Sequence, residues 1–187
     1  MAQVKGVLLN AWVQFLKSRF GEDQVVRAIQ NLAPAQQHQV SSGFLDSSWY
    51  PFELHASLSA LTRSLATQAD RNLSFELGRF MADYAFDRVY KNLLSRESNR
   101  LARNTWLEDS FFQGVRKVKS ETTGESSYMM RYYYEPSMKP TTGMCASTIG
   151  FCFRQAELAG RENSKVIHPK EKCAAYDNDC CEVVIEW

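Results

Sequence analysis

At Gly114 the chain changes period, and that change decides which class of fold is open to it. Before it, apolar residues recur at threes and fours, the spacing of one face of a helix. Leu8, Trp12, Phe15 and Leu16 mark a first amphipathic helix from Val4 to Phe20, closed by Gly21. Asp23 is placed to cap a second, carrying Val25, Val26, Ile29 and Leu32 and stopped by Pro34. The Gln- and Ser-rich segment 35–48 reads as a loop. Pro51 suits the first turn of a third helix with Leu54, Leu58, Leu61 and Leu65. A central helix follows over 73–94, through Leu77, Met81, Tyr84, Val89 and Leu93, and another over 100–113, capped by Ser98 and bearing Leu101, Leu107, Phe111 and Phe112.

After Gly114 the pattern alternates. Val115–Ser120 and 127–135, the latter with Tyr128, Met130, Tyr132 and Tyr134 on one face, predict a hairpin turned at Thr123-Gly124-Glu125. A helix over 145–158 follows, then strands over 165–173 and 181–187 on either side of the turn Asp177-Asn178-Asp179. The expectation is an α+β fold: an N-terminal helical bundle (1–113) packed on a C-terminal antiparallel sheet of about four strands (114–187), in one domain spanning 1–187.

All five cysteines fall between Cys145 and Cys181. With 22 basic and 21 acidic residues the net charge is +1, too even to recruit nucleic acid or an anionic membrane through a global field. No apolar run reaches the length of a membrane-spanning helix, and the N-terminus lacks the apolar core of a secretory signal. We therefore expect a cytoplasmic protein whose cysteines are thiols, buried or metal-bound, rather than a disulfide framework.

The opening stretch, from Val4-Lys5-Gly6-Val7-Leu8-Leu9-Asn10-Ala11-Trp12 through Phe20-Gly21-Glu22-Asp23, resembles the start of haem nitric-oxide/oxygen-binding domains and of a myxobacterial paralogous family of unknown function. The part from Cys145 to Ile185 resembles the 4-vinyl reductase domain, a small-molecule-binding module. Both families share their fold with the small subunits of the TRAPP vesicle-tethering complex. Haem-binding members supply an axial histidine on the helix before the sheet and a Tyr-x-Ser-x-Arg motif. Here that helix, 101–113, has no histidine, and the strand reads Tyr132-Tyr133-Tyr134-Glu135-Pro136. Haem is therefore not expected, and His55, on the third helix, reads as a surface or hydrogen-bonded core residue rather than an iron ligand.

The 4-vinyl reductase resemblance implies a structural zinc. Cys145, before Gly150 and Phe151, matches the family's first ligand, Cys173 the strand cysteine, and Cys181, next to Cys180, the last. The family's glutamate falls at Lys170, which cannot ligate, so Glu171 or His168 would have to stand in. Three thiolates with a carboxylate or imidazole suit tetrahedral Zn²⁺. In a regular strand Glu171 shares the face of Cys173, whereas His168 points away unless Pro169 kinks the chain. The alternative is that the thiols simply fill the sheet–helix interface.

Catalytic signatures are lacking: there is no phosphate-binding glycine loop and no His-Glu-x-x-His motif, and Cys152 has no neighbouring base in the sequence. Trp49, Tyr50, Phe52, Tyr84, Tyr132 and Tyr134 are the aromatic candidates for a ligand pocket. The expected function is a non-enzymatic sensory domain for a small apolar or aromatic ligand, forming a homodimer. The alternative is a dimeric scaffold of TRAPP type that docks a small GTPase or another regulatory protein.

Overall fold

The computed structural model describes residues 1–89 and 109–187. The fold is α+β. Its helical part comprises α1 (Gly6–Phe20), α2 (Glu22–Ile29), α3 (Pro34–Ser42), α4 (Glu53–Leu65) and α5 (Leu73–Arg88). A four-stranded antiparallel sheet, in the order β4-β5-β7-β6, is built from β4 (Arg116–Gly124), β5 (Ser127–Tyr134), β6 (Lys165–Ile167) and β7 (Cys181–Glu186). One more helix, α6 (Thr142–Leu158), joins the two halves. The expected helix 100–113 and the end of the expected helix 73–94 lie for the most part outside the described residues.

Several sequence expectations are corrected. Val4 does not begin a helix: β1 (Gln3–Lys5) is the middle strand of a second, three-stranded sheet, between β2 (Trp49–Pro51) and β3 (Phe112–Gln113). Pro51 therefore ends a strand rather than opening α4, and Phe112 and Gln113 are strand rather than helix. Segment 35–48 is not all loop. Pro34, expected only as a stop, occupies the first turn of α3, where its missing amide costs nothing. Helix α2 starts one residue before Asp23, with Gly21 at its cap and Asp23 in its acidic first turn. Helix α6 begins three residues before Cys145, because the Thr141 hydroxyl accepts from the Met144 amide at 3.2 Å. The strand expected over 165–173 stops at Ile167 and gives way to two short 3₁₀ turns, 170–172 and 174–176.

Two apolar cores result. One is helical, with α1 buried nearly all round its first three turns and Phe15 against Phe80 of α5 at 5.7 Å. The other lies between the sheet and α6: Tyr128, Met130 and Tyr132 of β5 and Val183 and Ile185 of β7 face Cys152 and Ala156. The register of β5 on β7, Tyr128 opposite Ile185 and Tyr132 opposite Cys181, keeps that face continuous.

Helices α5 and α6 cross at two glycines. A methyl group at Gly78 would overlap the Ser147 carbonyl, and one at Gly150 would overlap the Phe75 carbonyl, so the backbones touch where neither helix has a side chain. Gly78→Ala and Gly150→Ala are each expected to lower stability by about 1–3 kcal/mol in urea unfolding, the cost of overpacking. A loss below about 0.5 kcal/mol for both would show that the helices part at no cost.

Candidate metal centre and ligand cavity

Cys145 sits in the second turn of α6, Cys173 between the two 3₁₀ turns, and Cys181 at the first position of β7. Their sulfurs form a triangle: Cys145 to Cys173 is 3.5 Å, Cys145 to Cys181 is 3.6 Å and Cys173 to Cys181 is 3.7 Å. Sulfurs bound to one tetrahedral zinc at about 2.3 Å would stand about 3.8 Å apart. All three are buried thiols. The fourth corner is His168, whose ligand nitrogen lies with the three sulfurs in a group no wider than 4.8 Å.

His168 is oriented for that position. Its Nδ1–H donates to the Glu182 carbonyl at 2.6 Å, which leaves Nε2 as the lone-pair nitrogen. Nε2 is buried and has no hydrogen-bond partner among the described residues. The strand-alternation argument against His168 does not apply, because the strand ends before it and Pro169 leads into the first 3₁₀ turn. Glu171, the other candidate, is exposed on that turn and outside the group, as is Lys170. Asn178, which sequence reasoning did not single out, holds the Cys173 loop by donating to the Cys173 carbonyl at 3.2 Å, next to Asp177 in the left-handed conformation at φ 67°.

The three thiols share charge unequally. Cys181 accepts from the Cys145 thiol and from the Ala174 amide at 3.3 Å, which brings its pKa down to about 6, while donation to Cys181 and burial push Cys145 up. One thiolate with two thiols donating to it is the charge state a divalent metal would replace by displacing the remaining protons. The chemistry of three sulfurs and one imidazole in a buried pocket can hold a metal ion.

The second feature is a cavity of about 40 Å³ in the helical core, next to α6. His55, Arg116, Ser147 and Thr148 present polar groups to it, and Leu8, Met81 and Phe151 are among its apolar walls. His55 is buried, stacked on Phe52 at 4.7 Å and edge-on to Trp12 at 4.6 Å, so the expected hydrogen-bonded or surface histidine is instead an imidazole set among rings. Burial, with the charge of Arg116 beside it, lowers its pKa to about 3. The Arg116 guanidinium lies 4.6 Å from the ring centres of both Phe112 and Tyr132, and its Nη1 donates to Thr148 Oγ1 at 3.0 Å and to the Tyr134 hydroxyl at 3.2 Å. Burial pushes Tyr134 up to about 12, so the phenol stays neutral as that acceptor.

The six aromatic residues expected to form a pocket are not brought together. Trp49 stacks under the Lys5 ammonium at 4.1 Å, Tyr50 packs on Phe44 at 4.9 Å, and Tyr84 stacks on Phe80 at 6.3 Å. Phe52, Tyr132 and Tyr134 form a layer behind His55 and Arg116, one step removed from the cavity. The polar groups that do face the cavity were missed. The available signal was Arg116, a charged residue at the start of a strand next to a run of tyrosines.

No family profile matches the chain, and no curated protein matches it in sequence. The fold is that of solved H-NOX proteins. A Shewanella oneidensis H-NOX domain in the Fe(II)CO ligation state aligns with a TM-score of 0.71 at 13% identity, covering 97% of each chain. A doubly substituted variant of the Tt H-NOX aligns at 0.69 and 13%, covering 98% of this chain and 94% of its own. The Fe(II) unliganded H-NOX protein from K. algicida aligns at 0.63 and 14%, covering 97% and 95%. Among the described residues no helix is long and apolar enough to cross a membrane.

His55 supplies a pH test. Its folded-state pKa of about 3 lies below its usual 6.5, so the unfolded chain binds the proton first. Its contribution to stability is complete above pH 6.5 and is lost as the pH falls from there towards 3. Between pH 7 and pH 4.5, His55→Gln is expected to lose about 2–3 kcal/mol less unfolding free energy than the parent protein. Equal losses in the two proteins would mean that His55 is solvated.

Proposed function

We propose that this chain is a non-enzymatic sensory domain that binds a small molecule in the cavity beside His55 and Arg116, with zinc in the Cys145–His168–Cys173–Cys181 centre as a structural pin. The observation that carries the reading is a buried imidazole, without a hydrogen bond among the described residues, that lines open space in the helical core. Core polar groups are costly unless satisfied, and a ligand satisfies them. The H-NOX likeness supports a ligand-binding use of the fold and says nothing of which ligand.

We further propose that the ligand is bound without haem, although one of the similar structures is described by its haem redox potential and porphyrin distortion. A cavity of about 40 Å³ has room for a few waters and none for a porphyrin. His55, the imidazole that faces it, is wedged between Phe52 and Trp12, and residues 90–108 contain no histidine, cysteine or methionine. The small cavity and its lining favour a ligand bound without haem.

For the zinc, four protein donors leave no open coordination position, so the ion would tie α6 to the sheet rather than activate water. Elemental analysis of the chelator-washed protein is expected to find one equivalent of zinc. Cys181→Ser is expected to lose it along with about 3 kcal/mol of stability, or about 10 °C in Tm. Less than half an equivalent in the parent protein would remove zinc from the reading.

The sensory reading is tested by thermal shift against a panel of small molecules of a few non-hydrogen atoms, polar and apolar. We expect saturable stabilisation by at least one member, lost in His55→Leu. No shift across the panel would count against it.

A further inference from the structure

The polar groups around the cavity specify the head of its ligand. Thr148 Oγ1 accepts from Arg116 Nη1, and none of the described residues accepts the hydroxyl's own proton. His55 makes ring contacts with Trp12, Phe52 and Phe112 and no hydrogen bond among the described residues. Burial and the neighbouring guanidinium hold it neutral, so the ring offers one N–H and one lone pair. Both side chains are more than nine-tenths buried, His55 at 7% exposed and Thr148 at 9%.

The cavity is thus lined by a hydroxyl, an imidazole and a guanidinium. Across from them stand the apolar side chains of Leu8, Met81 and Phe151. A cationic head would meet the Arg116 guanidinium, and a pure hydrocarbon would leave the Thr148 proton without a partner. An oxygen acceptor satisfies both donors at once. The space of about 40 Å³ limits the molecule to a handful of non-hydrogen atoms.

We propose that the cavity binds a small carbonyl compound, a ketone or short carboxylate, whose oxygen accepts from Thr148 Oγ1 and the His55 ring while its alkyl part packs on Leu8, Met81 and Phe151. The proposal rests on the sensory reading above and narrows its ligand.

The test uses the full chain and follows the His55 and Thr148 NMR resonances in titrations with acetone, propionate, propylammonium and xenon. Saturable shifts with acetone, propionate or both, and none with propylammonium, are expected; the first two also tell a neutral head from an anionic one. Thr148→Val should raise the Kd of the bound compound about tenfold, the loss of one hydrogen bond, while Thr148→Ser retains binding. Because Thr148→Val also removes an acceptor from Arg116, His55→Phe, which keeps the ring and deletes the nitrogens, serves as a second variant expected to weaken binding. Occupancy by xenon alone would overturn the carbonyl proposal and leave the sensory reading standing. Equal binding of propylammonium, or unchanged affinity in both variants, would overturn the proposal as well. No binding of any probe would remove the proposal and the sensory reading together.

Discussion

Contact between the backbones of α5 and α6 at Gly78 and Gly150 is the constraint on which the rest of the structure depends. With no side chain between them, the two helices approach more closely than ordinary packing allows, and α6 is fixed in rotation as well as position. Its period then distributes function around it. Met144, Ser147, Thr148 and Phe151 line the cavity, at the 0, 3, 4, 7 spacing of one helical face. Cys145, Cys152, Ala156 and Ala159 belong to the sheet-side core. A helix committed on so many sides has little room for large residues, which accounts for the run of Ser, Thr, Gly, Ala and Cys in 142–152.

The same geometry links the two polar features. Tyr134, at the end of β5, accepts from Arg116 on the cavity side, and burial first, with the nearby cysteines a lesser cause, pushes its phenol up. Among the described residues the rings of Phe112, Tyr132 and Tyr134 and the hydroxyls of Thr148 and Tyr134 lie against the guanidinium. Burying such a group gains nothing for the fold on its own account. Burial first, and the charge of Arg116 second, hold His55 neutral beside the cavity.

The long elements were legible in the sequence because their periods are long enough to count. Alternation of Tyr128, Met130 and Tyr132 located β5, and the threes and fours of α1, α4 and α5 located the bundle. The three-stranded sheet was not legible, because strands of two or three residues carry no period and β1 is paired by residues some fifty and over a hundred positions away. Helix α3 was hidden for a different reason: only Val40 of its nine residues is buried, so there is no stripe to see. In the metal centre, residue type and family likeness pointed to the three cysteines. The choice between His168 and Glu171 depended on where a strand ended, which local sequence does not fix. The cavity was the least legible part. His55, Arg116 and Thr148 are brought together by α4, β4 and α6, and each alone resembles an ordinary surface or strand residue.

That difference matters for how the H-NOX likeness is used. A TM-score of 0.71 at 13% identity means that the path of the backbone has been kept while most side chains have changed. Backbone path is set by constraints such as the α5–α6 contact and the register of β5 on β7, which tolerate wide substitution elsewhere. Ligand chemistry is set by a handful of side chains facing one space, and here those are an imidazole set between Trp12 and Phe52, a ring-wrapped guanidinium and a threonine hydroxyl. The likeness therefore speaks for the backbone path alone, and the chemistry of a cavity is a matter of the side chains around it. In this chain the polar side chains that line the cavity are residues 55, 116, 147 and 148.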